Sequence, residues 1–174
     1  AFGNYVGSKS FDDAASEDAS VVEAVKTAAA GAYAAASEKN ISRIVKMYKD
    51  AEVVTLTPTG VQSTVNGAYT FTSEGATYYA MTASAFGYGG PVNLLYIVDE
   101  NGTIAKFKVM SHNETEYYGD VVSQSSYTNG YPGQQLDSIG DDVLVVSGCT
   151  FTTNAVKTAA ADVAAAFNAV KEAQ

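Results

Sequence analysis

The sequence predicts an α+β fold: a twisted, mainly antiparallel sheet with N-terminal and C-terminal helices packed on it. Two observations carry this prediction. Apolar strand-like segments at 92–99 and 103–110 flank Asn101-Gly102, a dipeptide typical of tight hairpin turns. Alanine-rich segments at 19–38 and 152–171 have the composition of helices, because alanine has the highest helix propensity.

The remaining elements follow from local patterns. Residues 40–49 predict a second, shorter helix capped by Asn40, because apolar residues recur there at helical spacing. The stretch 111–142 is predicted to be irregular, and an irregular stretch of that length in a compact domain is usually functional or disordered. Further strands are predicted at 53–57, 69–71, 77–85 and 143–146.

The domain organisation is predicted to be simple. Residues 1–18 are polar and acidic and are expected to form an N-terminal tail, whereas 19–174 is long enough for a single domain with its own core. Seven residues at 24–30 recur identically at 155–161. We interpret this echo as convergence of two alanine-rich helices rather than the remnant of a duplicated domain, because a restricted alphabet repeats by chance.

Composition excludes several classes of function. The net charge of −9, without a basic cluster, argues against nucleic acid or an anionic membrane surface as an electrostatic partner. A single cysteine, Cys149, permits no internal disulfide, and one cysteine with one histidine cannot build an ordinary zinc site. No stretch approaches the length of a membrane span, so no span is expected within this chain.

The segment 147–153 is the first candidate site. It places a glycine and several hydroxyl-bearing residues between a predicted strand and the start of the last helix. Backbone N–H groups at a helix start lack intrahelical partners and favour an anion, so this turn can hold a phosphate. The alternative is that Thr152 or Thr153 merely caps the helix and nothing binds.

A second segment, 111–119, gives the turn a context. It reads Ser-His-Asn-Glu-Thr-Glu-Tyr-Tyr-Gly and precedes Ser147-Gly148-Cys149-Thr150 by about 30 residues, as the printed sequence shows. Together with the glycine-rich stretch 86–92 and the turn 99–102, these motifs resemble the FMN-binding domain family. That family includes flavin-carrying extracytoplasmic subunits of the Rnf and sodium-pumping NADH:quinone reductase complexes, and related cell-surface flavoproteins. The resemblance is strongest over residues 76–170.

The resemblance implies FMN as the cofactor and a set of residues that hold it. In the family the flavin is often joined through its phosphate to a threonine, which corresponds here to Thr150. From the residues themselves, glycines in the loops would let the ring approach the backbone, and Tyr88, Tyr117 and Tyr118 would stack on it. The alternative for the tyrosines is an ordinary place on half-buried strands, because the chain has twelve tyrosines and no tryptophan. No catalytic residue and no metal ligand is implied. The expected cofactor-binding residues are Ser147, Gly148, Cys149, Thr150, Thr152, Thr153, His112, Glu114, Thr115, Gly119, Gly89 and Gly90.

Two departures from the family pattern leave covalent attachment open. The family has alanine where this chain has Cys149, and it usually has an aspartate where this chain has Leu144. A second Gly-Ala-Thr at 75–77 continues into a strand-like segment, so Thr77 is predicted to be an ordinary strand residue. His112, Glu114 and Thr115 also admit a purely structural interpretation, in which they stabilise a loop.

By resemblance, the chain is an extracytoplasmic electron-transfer module rather than a stand-alone enzyme. The implied partners are a membrane electron donor or another redox carrier, together with a flavin transferase for maturation. The implied location is the bacterial cell surface, as a lipoprotein or a membrane-associated protein whose anchor precedes Ala1. The alternatives are a cell-surface binding module with a degenerate site and no covalent flavin, or non-covalent FMN binding.

Overall fold

The computed structural model describes residues 19–58, 60, 64–116, 119–139 and 145–173. Its five strands pair antiparallel in the order β1-β2-β3-β4-β5, so each strand is hydrogen-bonded to its neighbours in the sequence. The predicted α+β class is therefore confirmed. The helices are α1 (Ala19–Met47), α2 (Ser125–Thr128) and α3 (Thr150–Glu172), and the strands are β1 (Glu52–Leu56), β2 (Val65–Ser73), β3 (Ala76–Phe86), β4 (Pro91–Asp99) and β5 (Ile104–Ser111).

The hairpin between β4 and β5 forms where the dipeptide Asn101-Gly102 predicts it. Gly102 has φ of 80°, a left-handed conformation that glycine adopts without steric cost. Asp99 Oδ1 accepts hydrogen bonds from the N–H groups of Asn101 at 2.8 Å and Thr103 at 2.9 Å. The Asp99 side chain thus stabilises the turn, as Asp side chains commonly do.

The main core lies between the sheet and α3. Along β3, Tyr79, Met81 and Ala83 point to this face, because successive side chains of a strand alternate between the two faces. The face of α3 that meets them is built of small and branched residues, which lets the helix approach the sheet closely. Its buried members include Val156, Ala159, Ala160, Val163, Ala166 and Val170.

The opposite face of the sheet carries α1 over a smaller cluster that includes Ile44, Tyr69 and Phe71. The prediction of two separate helices is wrong, because α1 runs unbroken through Asn40. That residue is buried and its Nδ2 donates to Tyr69 Oη at 3.2 Å and to Thr82 Oγ1 at 3.4 Å. Its polar side chain is satisfied by the sheet, so it does not interrupt the helix.

The segment 119–139 is more ordered than its composition predicts. It forms two 3₁₀-helical turns, Asp120–Ser123 and Leu136–Ser138, on either side of α2. Its backbone pairs with the start of β5, and four of its side chains enter the main core: Val122, Tyr127, Tyr131 and Leu136. Aromatic and aliphatic anchors therefore fix a segment that lacks any periodic pattern.

The predicted last strand at 143–146 is not found where the structure describes it. Val145 and Val146 lie outside any strand, and residues 143–144 lie outside the described residues. Thr77, by contrast, lies in β3 as expected. The division into a tail, 1–18, and one domain, 19–174, stays a prediction, since residues 1–18 lie outside the described residues.

Candidate functional site

A cavity of about 410 Å³ opens where three segments meet at one end of the sheet. These segments are the turn between β3 and β4, the loop that follows β5, and the first turn of α3. The volume falls within the range of about 300–1,000 Å³ typical of small-molecule sites. The lining residues are Tyr88, Thr115, Gly119, Gly148, Cys149, Thr150, Phe151 and Thr152.

Glu114 joins the three segments from beneath the cavity. Its side chain is only 9% exposed. One carboxylate oxygen, Oε1, accepts the backbone N–H of Gly89 at 3.0 Å, and the other, Oε2, accepts the hydroxyl of Thr152 at 2.5 Å. Both oxygens are thus engaged within the protein, as a buried carboxylate requires. Glu114 ties the β3–β4 turn to the start of α3.

Three glycines near the cavity leave no space for a side chain of their own. A Cβ atom at Gly87 or at Gly119 would collide with the Glu114 carboxylate. A Cβ at Gly89 would collide with the backbone carbonyl of Asn113. Gly87 and Gly119 therefore make room for a buried side chain, and the approach of a flat ring to the glycines of these loops stays a prediction.

The start of α3 lies open toward the cavity. The helix begins at Thr150, and Cys149, in the capping position, makes no side-chain hydrogen bond to it. The preceding turn closes with the Cys149 N–H donating to the Val146 carbonyl at 3.1 Å, and Gly148 within it has φ of 85°. An uncapped helix start favours an anion, because its backbone N–H groups and the helix dipole both present positive charge.

The three threonines of this turn have different surroundings. Thr150 is exposed and lines the cavity. Thr152 is buried, and its hydroxyl is engaged by Glu114. Thr153 is fully buried, and its hydroxyl donates to the Cys149 carbonyl at 3.1 Å within the helix. Neither Thr152 nor Thr153 caps α3, whose capping position is Cys149, so the prediction that one of these threonines is the cap is wrong.

The other residues predicted for the site support the loops rather than line the cavity. His112 is half-buried, and its Nδ1 accepts the backbone N–H of Glu114 at 3.2 Å. Gly90 adopts φ of 145° in the β3–β4 turn, and Ser147 is exposed in the turn before α3. Their binding roles stay predictions. Three further residues of the sequence argument, Tyr117, Tyr118 and Leu144, lie outside the described residues.

Phe151 lines the cavity, although no sequence motif predicts it as a site residue. Its side chain is 74% exposed, and its ring centroid lies 6.3 Å from that of Tyr88. The available signal was the presence of a large apolar residue directly beside Thr150 in a turn otherwise rich in hydroxyl groups. Such a residue either enters the core or serves a surface site, and in this structure it does not enter the core.

The described part of the chain shows neither a metal-binding cluster nor a membrane-spanning helix. It contains no group of three or more His, Cys, Asp or Glu side chains that could hold a metal ion. None of its helices combines the length and the apolar character that crossing a membrane requires.

Comparison with known proteins agrees with the geometry. Residues 87–165 match the family model of the FMN-binding domain, which confirms the predicted resemblance and the predicted cofactor, FMN. This range contains the motifs at 111–119 and 147–153 and most of α3. The cavity therefore lies within the matched region.

Three curated relatives belong to ion-translocating complexes. A component of the proton-translocating ferredoxin:NAD(+) oxidoreductase complex of Clostridium ljungdahlii is 29% identical over 86 residues, 45% of this chain and 46% of the relative. A component of the ion-translocating oxidoreductase complex of Cereibacter sphaeroides is 33% identical over 75 residues, which are 41% of this chain and 34% of the relative. Its counterpart from Shewanella loihica is 29% identical over 100 residues (51% and 47%). The matches thus span less than half of each relative.

Proposed function

With residues 87–165 matching the FMN-binding domain family, we propose that this chain is an electron-transfer module that holds one FMN in the cavity at the start of α3. It passes electrons between a membrane donor and another redox carrier, and it does not transform a substrate by itself. The observation that carries the proposal is the uncapped start of α3, which opens on a cavity of suitable size beside an exposed threonine.

The residues present fit the cofactor. The first turn of α3, which begins at Thr150, offers the phosphate the backbone N–H groups and the dipole of a helix start. Two exposed aromatic side chains border the same cavity, and flat ring systems stack on such side chains. When bound, FMN supplies redox chemistry that no amino-acid side chain offers. The protein contributes binding, orientation and the polar surroundings of the ring.

Covalent attachment to Thr150 is the second part of the proposal. Of the three threonines in the turn, Thr150 has its side chain on the cavity, whereas the hydroxyls of Thr152 and Thr153 are engaged within the protein. A flavin transferase would form the bond between Thr150 Oγ1 and the flavin phosphorus while the P–O bond from that phosphorus to the leaving group of a flavin-nucleotide donor breaks, and the leaving group departs with the oxygen of that bond. The hydroxyl proton leaves, and the protein gains the mass of one FMN less one water.

The surroundings of the module are proposed from the relatives. Each is named as one component of an ion-translocating or proton-translocating oxidoreductase complex, so a membrane complex is the expected donor. By the family resemblance, the module works outside the cytoplasm, at the bacterial cell surface, as a lipoprotein or otherwise membrane-associated protein.

The deciding measurement is the intact mass and visible spectrum of the chain after co-expression with a flavin transferase. We expect a yellow protein heavier by one FMN less one water, with the added mass on a peptide that contains Thr150. Thr150→Ala should remain at its unmodified mass, because no other hydroxyl of the turn faces the cavity in the same way. Thr150→Ser should regain the modification.

Thr158→Ala is the matched control. Thr158 is exposed on the same helix, and its hydroxyl donates to the Asn154 carbonyl, away from the lining residues. Flavin retained covalently in Thr150→Ala would contradict the assignment of Thr150. A colourless wild-type protein that nevertheless bound added FMN would establish non-covalent binding. Failure to bind FMN in either way would support the alternative of a cell-surface binding module with a degenerate site. The two departures from the family pattern, Cys149 and Leu144, favour that alternative.

A further inference from the structure

Two aromatic side chains at the cavity mouth are exposed to an unusual degree. Tyr88 is 75% exposed and Phe151 is 74% exposed. Their ring centroids lie 6.3 Å apart, and the ring planes are inclined by 54°. Single exposed apolar residues are common, but two large rings that approach each other across a cavity form a local apolar surface of the kind that marks a binding site.

The backbone beneath each ring is held in place. The turn that carries Tyr88 closes with the Gly87 N–H donating to the Gly90 carbonyl at 2.8 Å. Gly87 leaves no space for a Cβ against the Glu114 carboxylate, and Gly89, directly after Tyr88, donates its N–H to that carboxylate. This segment cannot move without breaking buried contacts.

Phe151 is held through its own neighbour. It lies in the first turn of α3, and the next residue, Thr152, donates its hydroxyl to Glu114 Oε2 at 2.5 Å. One carboxylate therefore holds the residue after Tyr88 through Oε1 and the residue after Phe151 through Oε2. The distance between the two ring-bearing segments is set by a single buried side chain.

We propose that Tyr88 and Phe151 form an aromatic clamp that grips the isoalloxazine ring of FMN, with Glu114 as the positioning residue that fixes the span of the clamp. This inference rests on the proposed FMN-binding function. Aromatic rings attract one another in offset-stacked and edge-to-face arrangements at centroid separations of roughly 4.5–7 Å. Both side chains are largely exposed, so they adjust by rotation about their side-chain bonds while the backbone stays fixed.

The test is a titration of the full chain, prepared without flavin transferase, with FMN and separately with riboflavin. Tyr88→Ala and Phe151→Ala should each raise the Kd roughly three- to tenfold, the effect of one aromatic contact. The fold-change should be the same for riboflavin, which lacks the phosphate, because the clamp contacts only the ring. The fluorescence of the bound flavin should increase in Tyr88→Ala, since a stacked phenol quenches an excited flavin by electron transfer.

Conservative substitutions separate stacking from structure. Tyr88→Phe should keep the affinity but increase the bound-state fluorescence, because the phenol is the electron donor that quenches an excited flavin. Phe151→Leu keeps an apolar side chain in the helix and should lose affinity nearly as much as Phe151→Ala. The matched control is Phe86→Ala, because Phe86 is 68% exposed near the same turn but does not line the cavity.

The outcomes are distinguishable. Wild-type binding with unchanged Kd and fluorescence in Tyr88→Ala and Phe151→Ala would overturn the clamp and leave the proposed function standing. A wild-type protein that binds neither FMN in titration nor flavin after co-expression would overturn the proposed function and the clamp together. Loss of binding in Phe86→Ala equal to that of the other two variants would also overturn the clamp, since it would indicate a general apolar surface.

Discussion

The two long helices share seven identical residues, and among the four positions whose side chains are described in both helices the burial differs at one. Residues 24–30 in α1 repeat as 155–161 in α3. Ala159 is fully buried, whereas Ala28, the same position of the repeat, is exposed. One amino-acid sequence thus forms a helix in both places, but its burial depends on what lies opposite it. Helix propensity is local, whereas burial is a property of the whole fold.

The difference arises from the part of each helix that meets the sheet. α3 lies along the sheet with most of its length, and its buried residues extend from Thr152 to Val170. α1 enters its cluster through its last turns, around Ile44, and between residues 27 and 39 only Ala29 is buried. The origin of the echo as convergence of two alanine-rich helices stays a prediction.

The largest expected effect is on the repeated seven-residue segment itself. Ala159→Glu places a carboxylate with no partner in the main core, and we expect a loss of at least about 3 kcal/mol in the free energy of unfolding. Ala28→Glu, at the same position of the repeat, should change this free energy by less than about 0.5 kcal/mol. Urea denaturation followed by circular dichroism measures both. Equal losses would refute the difference in burial.

A second pair of variants removes the hydrogen-bonding side chain that links each long helix to the rest of the fold: Glu114 for α3 and Asn40 for α1. Glu114→Ala would leave the Thr152 hydroxyl and the Gly89 N–H without partners, and we expect a loss of about 3 kcal/mol in the free energy of unfolding. It should also raise the Kd for FMN about tenfold or more, because both clamp segments lose their common tie.

Asn40→Ala is the matched variant on the other face. Asn40 lines a second cavity, of about 280 Å³, between α1 and the sheet, so water can replace its hydrogen bonds to Tyr69 and Thr82. We expect Asn40→Ala to lower the free energy of unfolding by about 1 kcal/mol and to leave the Kd for FMN within about twofold of the wild-type value. A larger effect of Asn40→Ala on FMN binding would show that the two faces are coupled.

A further expected effect, confined to alkaline pH, is on stability. Burial raises the pKa of Tyr127 to about 12, on the α3 face, whereas an unfolded tyrosine ionises near pH 10. Between these values the unfolded state has lost a proton that the folded state keeps, so rising pH favours unfolding. Tyr127 should contribute a loss of about 2 kcal/mol from pH 10 to 12, with its contribution fully present below pH 10, and burial also raises the pKa values of Tyr96 and Tyr131, which add to the loss.

Phenylalanine variants identify the source of this alkaline loss. Tyr127→Phe should reduce the pH dependence between 10 and 12, because phenylalanine does not ionise. Tyr48→Phe, on the α1 face, should reduce it less: burial also raises the pKa of Tyr48, but that side chain is only half-buried. Denaturation midpoints at several pH values measure both. An unchanged pH dependence in Tyr127→Phe would locate the loss elsewhere.

The order of the motifs predicts which segments come together at the site, but it does not predict the role of each residue there. The motifs at 111–119 and 147–153 mark the two segments that meet at the cavity. They do not reveal that Glu114 holds protein groups with both oxygens, or that Thr152 and Thr153 have their hydroxyls engaged within the protein. These roles depend on distances between segments far apart in the sequence, which no local pattern contains.

The sequence by itself determined the fold class, the β4–β5 hairpin and the positions of the terminal helices. These features depend on interactions between neighbouring residues: alternation along a strand, the turn preference of Asn-Gly, and the helix propensity of alanine. Only the tertiary structure decided that α1 continues through Asn40, that Ala159 is buried while Ala28 at the same position of the repeat is exposed, and that Phe151 lies beside Tyr88 at the cavity. Each depends on which surface lies opposite a residue, and that surface exists only once the chain has folded.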